Sequence, residues 1–136
     1  SSVTSTELGY VSGVTSAIQT QLNAKLTSAS TITDGFTKTF VGTGANGTYT
    51  LRLKIPFAGT ITETTSISSA GTATATFKIN TTALGGTANS VSSSEQSQAQ
   101  ASANTFSAGD DINVEITSAS SLTNMTLSVT YTRALA

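Results

Sequence analysis

Cysteine, histidine and tryptophan are absent from the 136 residues, and proline occurs once. Without cysteine there is no disulfide framework, so the sequence carries no mark of its redox compartment. Without cysteine or histidine, zinc sites and nucleophilic triads lose their usual parts, and no catalytic residue, metal site or cofactor is expected. Charge is scarce too: six Lys and Arg stand against seven Asp and Glu, 10% of the chain in all, with a formal net charge of −1. No basic stripe can be drawn from that set, which excludes nucleic acid from the expected partners. No apolar run approaches the length of a membrane span. The opening Ser1-Ser2-Val3-Thr4 has neither an initiator Met nor a basic-then-apolar leader, so an internal piece of a longer protein is expected.

Serine, threonine, alanine and glycine fill most of the chain. Disorder needs low hydrophobicity together with high net charge, and the second condition fails here. Threonine-rich alternation of apolar and polar residues points instead to a β-protein of single-domain size.

The pattern divides the chain into residues 1–33 and residues 34–136. In the first part Leu8, Val11, Val14, Ile18, Leu22 and Leu26 recur every three or four residues, the spacing of one helix face. Thr4 and Glu7 have capping-box spacing, while Gly9 and Gly13 weaken the first turns. A helix of roughly 20 Å with so narrow a stripe is marginal alone and needs a neighbour. The β-region could supply it. Identical helices in a parallel coiled coil are the preferred partner, since a Ser/Thr-rich linker over residues 27–33 separates this stem from the rest.

From Asp34-Gly35 onward the period becomes two. Tyr49, Leu51, Leu53 and Ile55 alternate with polar residues, as do Ala73 to Ile79, Ile112 to Ile116 and Met125 to Tyr131. Weaker strands are expected over residues 36–41 and 60–68, with turns at residues 42–47, 56–59, 70–71, 85–86 and 108–110. The expected core is Leu51, Leu53, Phe77, Ile79, Ile112, Val114, Ile116, Leu127 and Val129. In residues 86–104, Ala99, Ala101 and Ala103 alternate with larger polar residues, which predicts a further strand with a small-residue face. Seven or eight antiparallel strands imply a sandwich or jelly roll.

Several motifs invite chemistry and yield plainer readings. Gly42-x-Gly44-x-x-Gly47 has the letters of a dinucleotide fingerprint, but a strand follows it where that fingerprint needs a helix. Asp110, Asp111 and Glu115 are too few for a hard-cation cage and fall in a Gly-Asp turn and on a strand's polar side. Three Asn-x-Thr sequons begin at Asn46, Asn80 and Asn124, the first being more simply a turn. Arg52 and Lys54, two apart in an expected strand, project from one surface, and Arg133 joins them if the strands are neighbours.

Glu7-Leu8-Gly9-Tyr10-Val11-Ser12-Gly13-Val14-Thr15-Ser16-Ala17-Ile18-Gln19-Thr20-Gln21-Leu22-Asn23-Ala24-Lys25 resembles a segment of tailed-bacteriophage tail fibres that precedes a C-terminal β-domain. Ile55-Pro56-Phe57-Ala58-Gly59-Thr60-Ile61 and Ala108-Gly109-Asp110-Asp111-Ile112-Asn113-Val114 are more loosely similar to small β-domains at fibre tips. The resemblance implies a homotrimer: a short helical coiled-coil stem, then a jelly-roll-like knob of the tumour-necrosis-factor or C1q type. Stem-then-knob order looks most like the tip of the tail needle of short-tailed phages, with a tail-fibre or head-fibre tip as close alternative. It implies an extracellular, virion-borne structural protein, joined to the rest of the tail through a preceding segment and meeting the host cell surface. The plainer reading of Arg52, Lys54 and Arg133 is a solvated charged face worth little; in such a trimer they would instead hold a carboxylate at the seam between protomers, from Glu63 or Glu115 of the next chain or from a small anion. A carbohydrate-binding, lectin-like sandwich is the alternative, although Tyr10, Tyr49 and Tyr131 with five phenylalanines give it little aromatic platform.

Overall fold

The computed structural model describes residues 31–134, so the stem positions Leu8 to Leu26 lie outside the described residues. The described part is mainly β and antiparallel, with no helix among the described residues. A compact unit runs from Thr33 to Arg133.

Eight strands build one sheet. They are β1 Thr31–Thr43, β2 Gly47–Arg52, β3 Gly59–Ile79, β4 Thr82–Ala83, β5 Asn89–Val91, β6 Gln96–Ala99, β7 Thr105–Phe106 and β8 Ile112–Ala134. The long strands β3 and β8 pair along nearly their whole length, from Thr60↔Thr132 to Ile79↔Ile112. Along its other edge β8 pairs with β1 and then β2, the latter from Gly47↔Ile116 to Arg52↔Ile112. The free edge of β3 takes β7, β6, β5 and β4 in turn.

This sheet cannot be flat. A straight strand with the 23 residues of β8 would span roughly 75 Å. Yet residues 53–58 alone join Arg52, paired with Ile112, to Gly59, beside the pair Thr60↔Thr132. Such a loop reaches at most roughly 25 Å. The two ends of β8 are therefore brought together, and the sheet folds back on itself. Its first half holds β1, the C-terminal part of β8, the N-terminal part of β3, β6 and β7. Its second half holds β2, the remaining parts of β8 and β3, β4 and β5.

The bend falls where the β3–β8 register shifts, between Ala70 and Thr74. Left-handed backbone concentrates there: Gly71 at φ 80°, Ser118 at 55°, Ser121 at 51° and Asn124 at 47°. Gly71 has a second reason to be glycine, because a Cβ would run into the Ser121 carbonyl. Residues 60–68 and 72–79 were expected as separate strands across a turn at Ala70-Gly71. They are instead one bent strand, since ladder hydrogen bonds continue through the bend.

Each half buries one face. Alternate residues Ala73, Ala75, Phe77 and Ile79, Ile112, Val114 and Ile116, and Met125, Leu127, Val129 and Tyr131 are buried in one hydrophobic cluster. With no helix among the described residues to cover these faces, the two halves cover each other.

Leu53 departs from the expected core and is 65% exposed. Strand β2 ends at Arg52 with a register shift, and Lys54 takes φ 44°. The chain turns there, held by Lys54 N–H donating to Asp111 Oδ1 (2.8 Å) and Ile55 N–H to the Asp110 carbonyl (2.9 Å). The turn points Leu53 outward and returns Ile55 to the core, fully buried.

Residues 86–104 are strand only in part, and their alanine face is the outer one. Ala99, Ala101 and Ala103 are exposed, while Asn89 and Gln100 are buried. Amide reach explains why these polar side chains lie inside. The Thr64 hydroxyl donates to Asn89 Oδ1 (2.7 Å) and accepts from Gln100 Nε2 (3.1 Å). Asn89 Nδ2 donates to the carbonyls of Thr64 (3.1 Å) and Gln96 (3.0 Å), and Gln100 Oε1 accepts from Gly86 N–H (2.9 Å). Backbone groups left unpaired by such short edge strands are satisfied by these side chains.

Candidate functional site: an arginine-capped aromatic cluster

Where the ends of the folded sheet meet, four aromatic rings from four segments come together. Phe36 comes from β1, Phe57 from the loop after β2, Phe106 from β7 and Tyr131 from β8. Tyr131 is the hub, with ring centroids 4.7 Å from Phe36, 5.6 Å from Phe57 and 5.7 Å from Phe106. Phe106 and Tyr131 are buried, and Phe36 and Phe57 are half-buried. Aromatic pairs at these separations add about 0.5–1.5 kcal/mol each beyond their buried area.

Two guanidinium groups cover the half-buried rings. Arg52 Cζ lies 5.3 Å from the Phe36 ring centroid and Arg133 Cζ 4.4 Å from that of Phe57. The two phenylalanine centroids are 6.4 Å apart, so the structure brings Arg52 and Arg133 to one cluster. The one ion pair among the described residues is Lys78–Glu115 at 2.9 Å, which leaves both arginines without a carboxylate partner there. Burial pushes the Tyr131 phenol above its ordinary value; the Asp34 carboxylate pushes the same way, while Arg133 and Arg52 oppose both. A greasy floor under two planar cations can hold a carboxylate or similar anion through paired N–H donors.

Lys54 is not among the cations over these rings. It lies beyond the end of β2, exposed, in the turn tied to Asp111. Glu63 is exposed on β3, whereas Glu115 already holds Lys78 within the chain. Lys38 caps a second aromatic pair, its Nζ 5.2 Å from the centroid of Phe40, which meets Tyr49 edge-on at 5.0 Å.

The acidic run near residue 110 fastens turns. Asp110 Oδ2 accepts from Ser107 N–H (2.8 Å) and Oδ1 from Asn80 Nδ2 (3.1 Å), and these donors hold its carboxyl below the usual carboxylate range. Asp111 Oδ1 accepts from Lys54 N–H, and Asn80 Oδ1 accepts from Asp111 N–H (3.0 Å). Gly42, at φ 100°, and Gly47, at φ 151°, flank the crossing from β1 to β2, and the Tyr49 hydroxyl donates to the Ala45 carbonyl (2.7 Å). A strand follows that turn.

Sequence reasoning placed Arg52 and Arg133 but missed the rings beneath them. Phe36, Phe57 and Phe106 are far apart in the chain and meet because β1, the C-terminal part of β8, the N-terminal end of β3 and β7 lie side by side in the first half of the sheet. The available signal was Pro56-Phe57, an apolar side chain fixed in a loop between two strands. No family model matches the chain, and no curated protein matches it.

Proposed function

We propose that this chain is a virion structural protein: the trimeric knob, with a short coiled-coil stem, at the tip of a bacteriophage tail needle or fibre, meeting the host cell surface during attachment and DNA delivery. The observation that carries the reading is the continuous segment Glu7 to Lys25, whose residues resemble the stem of tail fibres and lead directly into a β-domain. The order of strand pairing supports a jelly roll for that domain. Divided at their bends, β3 and β8 give two sets each four strands wide, β1, β8 and β3 edged by β6 and β7, and β2, β8 and β3 edged by β4 and β5, the pairing of a long antiparallel ribbon rolled up. Leu8, Val11, Val14, Ile18, Leu22 and Leu26 would line the shared axis of the stem, and Arg52 and Arg133 would take a carboxylate at a seam between protomers. On this reading the protein performs no turnover and belongs to the extracellular face of the particle.

A lectin-like module would offer open ring faces to a sugar. Here the half-buried faces of Phe36 and Phe57 carry guanidinium groups, which weighs against that alternative. Fluorescently labelled protein incubated with a panel of bacterial cells tests the proposal. Saturable staining of a subset, displaced by unlabelled protein, is expected. Binding of free saccharides by a single chain, with no cell staining, would assign the lectin-like role instead.

A further inference from the structure

We infer that Asn46 is a self-modification site, at which the folded chain deamidates through a cyclic imide and acquires a charge with age. Asn46 is exposed and is the one asparagine of the sequence followed by glycine. The Gly47 nitrogen adds to Asn46 Cγ, the Cγ–Nδ2 bond breaks, and Nδ2 leaves as ammonia with the proton that the Gly47 nitrogen gives up. Water then opens the imide at either carbonyl. One opening leaves aspartate at position 46, and the other leaves isoaspartate, with the main chain rerouted through the side chain. Every atom involved besides that water belongs to one chain, whatever its assembly.

The local structure supplies what each step needs. Gly47 is exposed, with nothing within 4 Å of where a Cβ would stand, so the attacking nitrogen is uncrowded. The Ala119 N–H donates to Asn46 Oδ1 (2.9 Å), which settles which end of the amide is oxygen. It also keeps a donor on the atom that takes negative charge as the nitrogen adds. The leaving Nδ2 holds no acceptor among the described residues, whereas Asn80, Asn89, Asn104 and Asn113 all donate from theirs. The site lies in the turn laced to the β8 bend by Gly44 N–H to the Leu122 carbonyl (2.7 Å) and Gly42 N–H to Asn124 Oδ1 (2.8 Å). Residues 41–47, 69–72 and 118–124 carry no charged side chain, so the new carboxylate is the first charge among them. Aspartate keeps an acceptor for the Ala119 N–H. Isoaspartate adds a methylene to the main chain where the β2 ladder begins, at Gly47↔Ile116.

The test holds the folded full-length chain in mildly alkaline buffer, samples it over days and digests each sample with trypsin. Cleavage after Lys38 and Arg52 releases residues 39–52, in which Asn46 is the only amide side chain. Conversion of this peptide to two products of the acid mass, separated by chromatography, is expected. Asn46→Asp supplies the standard that identifies the product with a normal main chain. Conversion should run at least about tenfold faster than at any other asparagine, and faster still as pH rises, because reaction needs an uncrowded, deprotonated nitrogen held beside Cγ. Conversion no faster than at Asn124, or seen only when the chain is unfolded in urea, overturns the inference.

Discussion

Arg133 and Phe57 are packed cation on ring, the guanidinium carbon 4.4 Å from the ring centroid, although one lies near the end of the last strand and the other in the loop between β2 and β3. The contact clips the loop over residues 53–58 to β8 and helps close the folded sheet. Replacing Arg133 with Ala should lower stability by about 0.5–1 kcal/mol, the range for a partly exposed cation–π contact. Arg133→Lys should recover only part, because the ammonium is more strongly hydrated and lacks the planar stack. Urea unfolding of the three proteins measures both.

Tyr131 gives the same cluster a pH dependence. Its phenol is raised above 10.0 by burial first and then by Asp34, against the pull of Arg133 and Arg52. In the unfolded chain it ionises at the ordinary value, while the folded state keeps the proton to higher pH. Stability from this group is therefore complete below about pH 10 and is lost as pH rises through the folded value. Thermal melts of the parent should fall over that alkaline window. Tyr131→Phe should flatten the fall, and an unchanged alkaline slope in the variant would remove Tyr131 as its cause.

Phe77 and Leu53 test which face is inside. Phe77 is 3% exposed and Leu53 65% exposed. Phe77→Ala should cost about 3–5 kcal/mol, and Leu53→Ala should stay within about 0.5 kcal/mol of the parent. Comparable losses at both positions would contradict the turn at Lys54.

Much of the fold was legible because residues with a side-chain period of two keep it when buried. Phe77, Ile79, Val114, Leu127 and Val129 were read as core from alternation alone, and they are buried. Leu53 was misread because one left-handed residue, Lys54, breaks the phase, and nothing in the neighbouring letters announces it. The burial of Gln100 was not visible from alternation, because burial of an amide depends on partners such as Thr64 and Gly86, which are distant in sequence. For the same reason the aromatic cluster was only half visible. Arg52 and Arg133 stood out as scarce charges, but Phe36, Phe57 and Tyr131 become neighbours only through strand pairing between segments distant in sequence.

The stem makes its own demand. If Ile18 and Leu22 face a shared axis, Ile18→Asp combined with Leu22→Asp places charge in an apolar seam, at a cost of several kcal/mol for each site. The double variant should lose its assembly on dilution or melt at lower temperature. Unchanged assembly and melting would exclude the seam.

The central claim, a stable trimer of stem and knob, is tested most directly by native mass spectrometry of the full 136-residue chain across a dilution series. A single species at three times the chain mass, persisting on dilution, is expected. A species at one chain mass throughout the series would contradict it.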